Sequence, residues 1–195
     1  AETLENYIRD AAFVFSGSTN PDWTFETTNG AVGTGTRVTA LPTAAPFGTA
    51  AYRMIMTGTD ATGTVVLSQV YTFTATAMAF SISARAYIQS AANLNVALSM
   101  RMNNINGSVQ STVSTSTSAS GTAWVTQQIY NFTANEAGSL VVKLQLNANA
   151  ASATGTVFWN GIYLASGTAL PTAWMSGREV FSRLEGNGQT SVNFV

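Results

Sequence analysis

The chain has no cysteine and no histidine, and these two absences remove most of the usual catalytic chemistry from its 195 residues. Without thiols there is no disulfide framework and no thiolate metal site, and the redox compartment is unmarked. Without imidazole the Ser-His-Asp and Cys-His nucleophile systems are gone, along with the common zinc ligand sets. Charge is scarce as well, at 9% of residues, and Lys143 is the single lysine. No run approaches the roughly 18 apolar residues of a membrane-spanning helix. The N-terminus lacks the basic-then-apolar order of a signal peptide. Hydrophobic residues make up 46% of the chain, which excludes the apolar-poor class of disordered sequences. A chain of this length and composition can hold one all-β domain with a sizeable core and short extensions.

What charge there is falls unevenly. Residues 1–26 carry Glu2, Glu5, Asp10, Asp22 and Glu26 against Arg9, a net −4. Residues 27–178 carry Arg37, Arg53, Arg85, Arg101, Lys143 and Arg178 against Asp60 and Glu136, a net +4. An acidic leader on a mildly basic body can be steered onto a neighbouring copy. The bland alternative is a solvated leader.

Residues 2–13, ETLENYIRDAAF, are the one helical candidate: Leu4, Ile8 and Ala11 or Ala12 recur near i, i+4, and Glu5 precedes Arg9 by four. Beyond them short strands alternate with Gly, Asn, Ser and Thr clusters, the spacing of a sandwich or barrel. Phe80, Ile82, Ala84, Ala86 and Ile88 share one parity, as do Leu94, Val96, Leu98, Met100 and Met102. Leu140, Val142, Leu144 and Leu146 do the same. Such period-two patterning marks half-buried strands. Further strands are predicted near 12–16, 35–40, 50–57, 64–74, 109–117, 124–133 and 156–165. The low-complexity run STVSTSTSAS at 111–120 reads as a wetted edge strand or a loop. The organisation expected is a helical attachment segment over 1–11, a sandwich over 12–166 and a tail over 167–195.

A search for an active site finds little. Within residues 27–178 the carboxylates are Asp60 and Glu136, both in turn-like contexts. A glycosidase needs two carboxyl groups facing one bond. Lys143 sits mid-strand with no serine motif around it, and the glycines of NGAVGTGTR lack the phosphate-loop spacing. The basic residues are spread too thinly for nucleic acid. The expectation is a non-enzyme with no catalytic residue, no metal and no cofactor, and neither nucleic acid nor membrane as partner. Asn106-Gly-Ser and Asn131-Phe-Thr match the glycan acceptor pattern.

A binding face survives this elimination. Arg53, Arg85, Tyr87, Arg101, Gln127, Lys143 and Gln145 occupy outward parities of predicted strands. Planar donors with an aromatic are the mix that recognises sugars. The competing account is that these side chains solubilise their strands or bridge to a neighbouring subunit. Trp124 reads as core, sharing parity with Tyr130 and Phe132, and Trp159 fits either face. Trp23, Pro171, Trp174, Met175, Phe181 and Phe194 are the candidate interface residues.

The stretch TVFWNGIYLASGTALPTAWMSG, residues 156–177, reads as a last sandwich strand followed by a connection into a tail. Several passages carry a resemblance: Leu67-Ser-Gln-Val-Tyr-Thr-Phe, Ala79-Phe-Ser-Ile-Ser-Ala-Arg-Ala, Trp124-Val-Thr-Gln-Gln-Ile-Tyr-Asn-Phe and Val157-Phe-Trp-Asn-Gly-Ile-Tyr-Leu. Over residues 12–166 the chain resembles the carbohydrate-binding-module-like jelly rolls of the galactose-binding-like superfamily. Leu170-Pro-Thr-Ala-Trp-Met is similar to the ending of such domains in tailed-bacteriophage virion proteins. Members of that superfamily often hold a structural calcium with acids on the final strand. Here Asn160-Gly161 takes that place, with Glu26 the other candidate ligand. The superfamily's sugar-binding aromatics vary in position, so none is carried over.

The resemblance implies a phage virion protein, a jelly roll displayed at the particle surface as a fibre, spike or capsid decoration. The alternative is a carbohydrate-binding module or adhesin outside any virion. The partners implied are other virion proteins and host-surface glycan. The tail REVFSRLEGNGQTSVNFV, residues 178–195, has two strand-like patches around a turn. An isolated hairpin is marginal, so the expectation is that it packs on sister chains of a homotrimer.

Overall fold

The alternating runs become long antiparallel strands. The computed structural model describes residues 6–17, 19–58 and 60–170. Ten strands run in order: β1 (Thr24–Thr28), β2 (Val32–Val38), β3 (Ala51–Gly58), β4 (Thr64–Phe73) and β5 (Ala79–Ala92) come first. β6 (Leu94–Asn104), β7 (Val109–Ser114), β8 (Val125–Thr133), β9 (Gly138–Ala148) and β10 (Thr154–Ser166) complete the set. They form two sheets, ordered β1-β4-β9-β6-β7 and β2-β3-β10-β5-β8. The chain crosses repeatedly from one sheet to the other, as in a jelly roll.

The core lies between the sheets. From the first sheet Leu94, Leu98, Met100, Leu144 and Leu146 point in; from the second, Phe80, Ile82, Val157, Trp159 and Leu164 meet them, all fully buried. Each such side chain contributes about 1.5–3 kcal/mol on leaving water. The three alternating runs therefore have the sidedness their sequence predicts. The low-complexity run starts as edge strand β7, and Thr117 bridges back to Val96.

The N-terminal segment differs from expectation. No helix is present over residues 6–13, and residues 1–5 lie outside the described part. The segment is instead built into the sandwich. The Asn6 side chain accepts from Ile8 N and Leu164 N at 3.0 Å and donates to Ile162 O at 2.9 Å. Gln69 of β4 clamps Arg9, accepting from its N–H at 2.7 Å and donating to its carbonyl at 2.9 Å. Asp10 and Phe13 adopt φ of 50° and 54°, incompatible with a continuing right-handed helix. Asp10 Oδ1 then accepts from Val14 N at 2.7 Å and Oδ2 from the Asn20 amide at 2.6 Å. Burial against two sheets overrides the helical spacing. Residues 12–16, expected as a strand, belong to this irregular segment, while β1 has no counterpart in the sequence reading.

β8 is a second departure. Its inward residues are Gln127 and Ile129, so Trp124 lies outside rather than in the core. A one-residue change of parity flips every side chain. Here a register shift between Phe80 and Ile82, opposite Phe132 and Ile129, carries the flip, with Asn131 at φ 55°. Gln127 pays for its burial by accepting from Leu98 N at 3.2 Å and from the Thr115 hydroxyl, which ties the β7 and β8 edges together. The opposite seam, between β1 and β2, stays open. Gly33 and Gly35 of β2 carry no side chain there, and a Cβ at Gly35 would overlap Phe25 and the Tyr52 hydroxyl.

Candidate ligand-binding face

The outer face of the β2-β3-β10-β5-β8 sheet gathers the chain's polar and aromatic side chains. Thr36, Arg53, Phe158 and Tyr87 form one cross-sheet row on β2, β3, β10 and β5. Trp124 extends it, its ring 5.8 Å from that of Tyr87, which in turn meets Phe158 edge-on at 6.0 Å. In the adjoining row Asn160, Arg85 and Thr126 face one another on β10, β5 and β8.

Part of this face is roofed by residues 39–50. Leu41 packs on the cluster of Ala51, Tyr87 and Phe158. Phe47 is held by Asn160, whose Oδ1 accepts from Phe47 N at 3.0 Å while its amide donates to Phe47 O and Ala50 O at 2.9 and 2.8 Å. Beside it Gly161, at φ 59° in the β10 irregularity, leaves the space that the Phe47 ring fills. The Arg85 guanidinium then sits 5.8 Å from the centre of that ring. Tyr87 and Phe158 are thus a buried floor, whereas Arg53, Arg85 and Trp124 are half-buried and Thr126, Gln128 and Tyr130 are exposed.

Three polar atoms of this face are buried without a hydrogen-bond partner: Arg53 Nε, Trp124 Nε1 and Tyr163 Oη. Burial also pushes the Tyr163 phenol above its ordinary range. Native structures pair such groups almost always, and an unpaired one costs about 1–3 kcal/mol. Strand β6 of the opposite sheet carries as many, on Arg101 Nε, Asn103 Oδ1 and Asn104 Oδ1, so what sets this face apart is the aromatic cluster beside its two arginines.

The other residues singled out in the sequence lie elsewhere. Arg101, Lys143 and Gln145 are on the outer face of the opposite sheet, on β6 and β9. Gln127 points inward, its Oε1 taken by Leu98 N and the Thr115 hydroxyl and its Nε2 buried without a partner. Trp23 is 5% exposed, packed on Phe13 with its indole donating to Asp10 O at 3.3 Å, and lies away from this face. Pro171, Trp174, Met175, Phe181 and Phe194 lie outside the described residues. Sequence reading missed Phe47, Trp124, Phe158, Asn160 and Tyr163 as members of the face. The available signal was Phe158, whose parity opposes that of Val157 and Trp159.

Asp60 precedes the start of β4, and Glu136 precedes the start of β9, which pairs with the far end of β4. They are therefore roughly 30 Å apart, one strand length. The two carboxyl groups of a glycosidase stand about 5–9.5 Å apart. This pair cannot share a bond.

A calcium at the final strand does not fit either. Both polar atoms of the Asn160 side chain are committed to Phe47 and Ala50, and Glu26 is exposed on β1 of the other sheet. Among the described residues no three carboxylate, imidazole or thiolate side chains cluster.

A cavity of about 690 Å³ opens at the β1–β2 seam, lined by Phe15, Trp23, Phe25, Arg37 and Tyr52 among others. Burial pushes the Tyr52 phenol up to about 12.

No family model matches the sequence, and no curated protein matches it. Solved structures do match. The enzymatically active domain of bacteriophage CBA120 tailspike protein 4 aligns with a TM-score of 0.64 at 12% identity, over 83% of this chain and 21% of that one. TmCBM61, solved in complex with β-1,4-galactotriose, aligns with a TM-score of 0.57 at 18% identity, over 84% and 99%. The family 11 carbohydrate-binding module of a Clostridium thermocellum cellulosomal cellulase aligns with a TM-score of 0.53 at 14% identity, over 87% and 98%. This chain spans about a fifth of the tailspike's length and nearly all of the two modules. The fold is that of a carbohydrate-binding-module jelly roll.

Proposed function

We propose that the chain is a non-catalytic glycan-binding domain and that its ligand lies on the outer face of the β2-β3-β10-β5-β8 sheet. The observation that carries this reading is the aromatic cluster of Tyr87, Phe158 and Trp124 beside the half-buried Arg53 and Arg85 on that face. A sugar supplies hydroxyl oxygens for the two guanidinium groups and an apolar ring face for the half-buried indole. The nearly full-length likeness to a module solved with a galactose oligosaccharide supports it.

A glycan array followed by calorimetry on the hits tests the proposal. The expected result is saturable binding that falls at least about tenfold in Trp124→Ala and in Arg85→Ala, about 1.4 kcal/mol or more. Binding that both variants leave intact would place the site elsewhere, and no binding on a broad array would sink the reading.

The setting we favour is a phage particle, where the domain serves as a fibre, spike or capsid decoration that assembles through its termini and meets host-surface glycan. The likeness to a tailspike domain and the Leu170-Pro-Thr-Ala-Trp-Met ending support that setting over a free-standing adhesin. Sedimentation distinguishes the assembly part: a trimer that dissociates on truncation after Leu170 is expected, and a stable monomer counts against it.

A further inference from the structure

We infer that the ligand of this face is an acidic glycan, one bearing carboxylate or sulfate groups, held between Arg53 and Arg85. The inference rests on the reading of the face as a glycan site and adds the charge of what it takes.

Of the three unpartnered buried atoms on this face, Arg53 Nε and Trp124 Nε1 can only donate. The Arg85 guanidinium can only donate as well. An ionised carboxylate or sulfate is acceptor-only and takes charge-assisted hydrogen bonds from the guanidinium groups, while Thr126, Gln128 and Tyr163 can serve the hydroxyls of the same glycan.

Among the described residues neither arginine has a carboxylate within ion-pair distance. The described acids are Asp10 and Asp22 in the N-terminal segment, Glu26 on β1, and Asp60 and Glu136 in turns, so none lies on a strand of this sheet. Arg53 pairs with Phe158 and Arg85 with Asn160, two positions further along β10. The two Cα atoms are thus diagonal across β10, roughly 12 Å apart. Two guanidinium cations bracket the same strand. Phe47 braces Arg85 from one side without neutralising it.

The test uses the full chain in calorimetric titrations against four probes: polygalacturonate, the same polymer after reduction of its carboxyl groups, dextran sulfate and dextran. Expected is binding at least about tenfold tighter to a charged polymer than to its neutral counterpart, weakening steadily as salt is raised. The arm that binds tells carboxylate from sulfate. Arg53→Gln and Arg85→Gln should each lower the charged polymer's affinity about tenfold or more, with Arg85→Lys in between because it keeps charge but loses the fork. Arg101→Gln and Lys143→Gln, on the opposite sheet, should change nothing. Equal affinity for charged and neutral partners would overturn the acidic ligand while leaving the glycan site standing. Loss of affinity in Arg101→Gln or Lys143→Gln would move the anion to the other face and also overturn it. No binding to any polymer here or on the array would remove the reading beneath it. Because the salt series needs no variant, a misfolded substitution does not blunt the test.

Discussion

The side chain of Asn160 grips the backbone of Phe47 at both its N–H and its carbonyl, at 3.0 and 2.9 Å. Residues that the sequence places 113 positions apart are joined as tightly as neighbours in a sheet ladder. The grip fixes the roof of the binding face, and through the Phe47 ring it fixes the Arg85 guanidinium.

Asn160→Asp keeps the shape but replaces two donors with a charge in a fully buried site. The Phe47 and Ala50 carbonyls lose their donor and are left facing a buried carboxylate that keeps only the Phe47 N–H, so a loss of about 3 kcal/mol or more is expected. Urea unfolding measures it, and hydrogen exchange at Phe47 should accelerate. A loss below about 0.5 kcal/mol would mean the grip contributes nothing.

Gly161→Ala meets two obstacles, a φ of 59° and the ring of Phe47. The backbone part should cost about 1 kcal/mol whatever its neighbour is. The ring part should vanish when Phe47 is also cut to Ala. A double-mutant cycle separates the two, with a coupling of about 1 kcal/mol expected and a coupling near zero ruling out the contact.

Gln69→Leu leaves the Arg9 N–H and carbonyl without their clamp beneath the N-terminal segment. The expected cost is about 1–3 kcal/mol, with faster proteolysis within residues 6–15 than in the parent chain. Unchanged cleavage there would show that Asn6 and Asp10 suffice to hold the segment.

Stability should fall in strong alkali because of Tyr52. Its phenol ionises near 10 in the unfolded chain and at about 12 when folded, since burial disfavours the anion. The raised value means that stability is fully present below pH 10 and is lost as pH climbs toward about 12. The slope contributed cannot exceed about 1.4 kcal/mol per pH unit, and the raised Tyr163 adds in the same direction. Urea midpoints across this window should flatten in Tyr52→Phe. Parallel curves for the variant and the parent would refute the assignment.

Leu140 to Leu146 shows what was legible in the sequence. Four leucine and valine side chains at period two can bury one face only, and all four are fully buried. Residues 6–13 show the limit: their helical spacing is real, yet hydrogen bonds to β4 and β10 outweigh it. On β8 a bulge opposite β5 reversed the sides that composition favoured. Asn160 looked like a missing metal ligand and is instead the anchor of a loop.

By itself the sequence determined an all-β chain lacking histidine and cysteine, and told, for most strands, which residues face in. It did not determine which outward residues meet. Arg53, Arg85, Arg101 and Lys143 share the same outward parity, but the fold puts the first pair on one sheet and the second on the other. Alternation is a local property of a strand, set by its pleat. Sheet membership is set by pairing between strands far apart in the chain, as when β10 inserts between β3 and β5. Only that long-range pairing brings two arginines, an indole and a buried aromatic floor onto one surface.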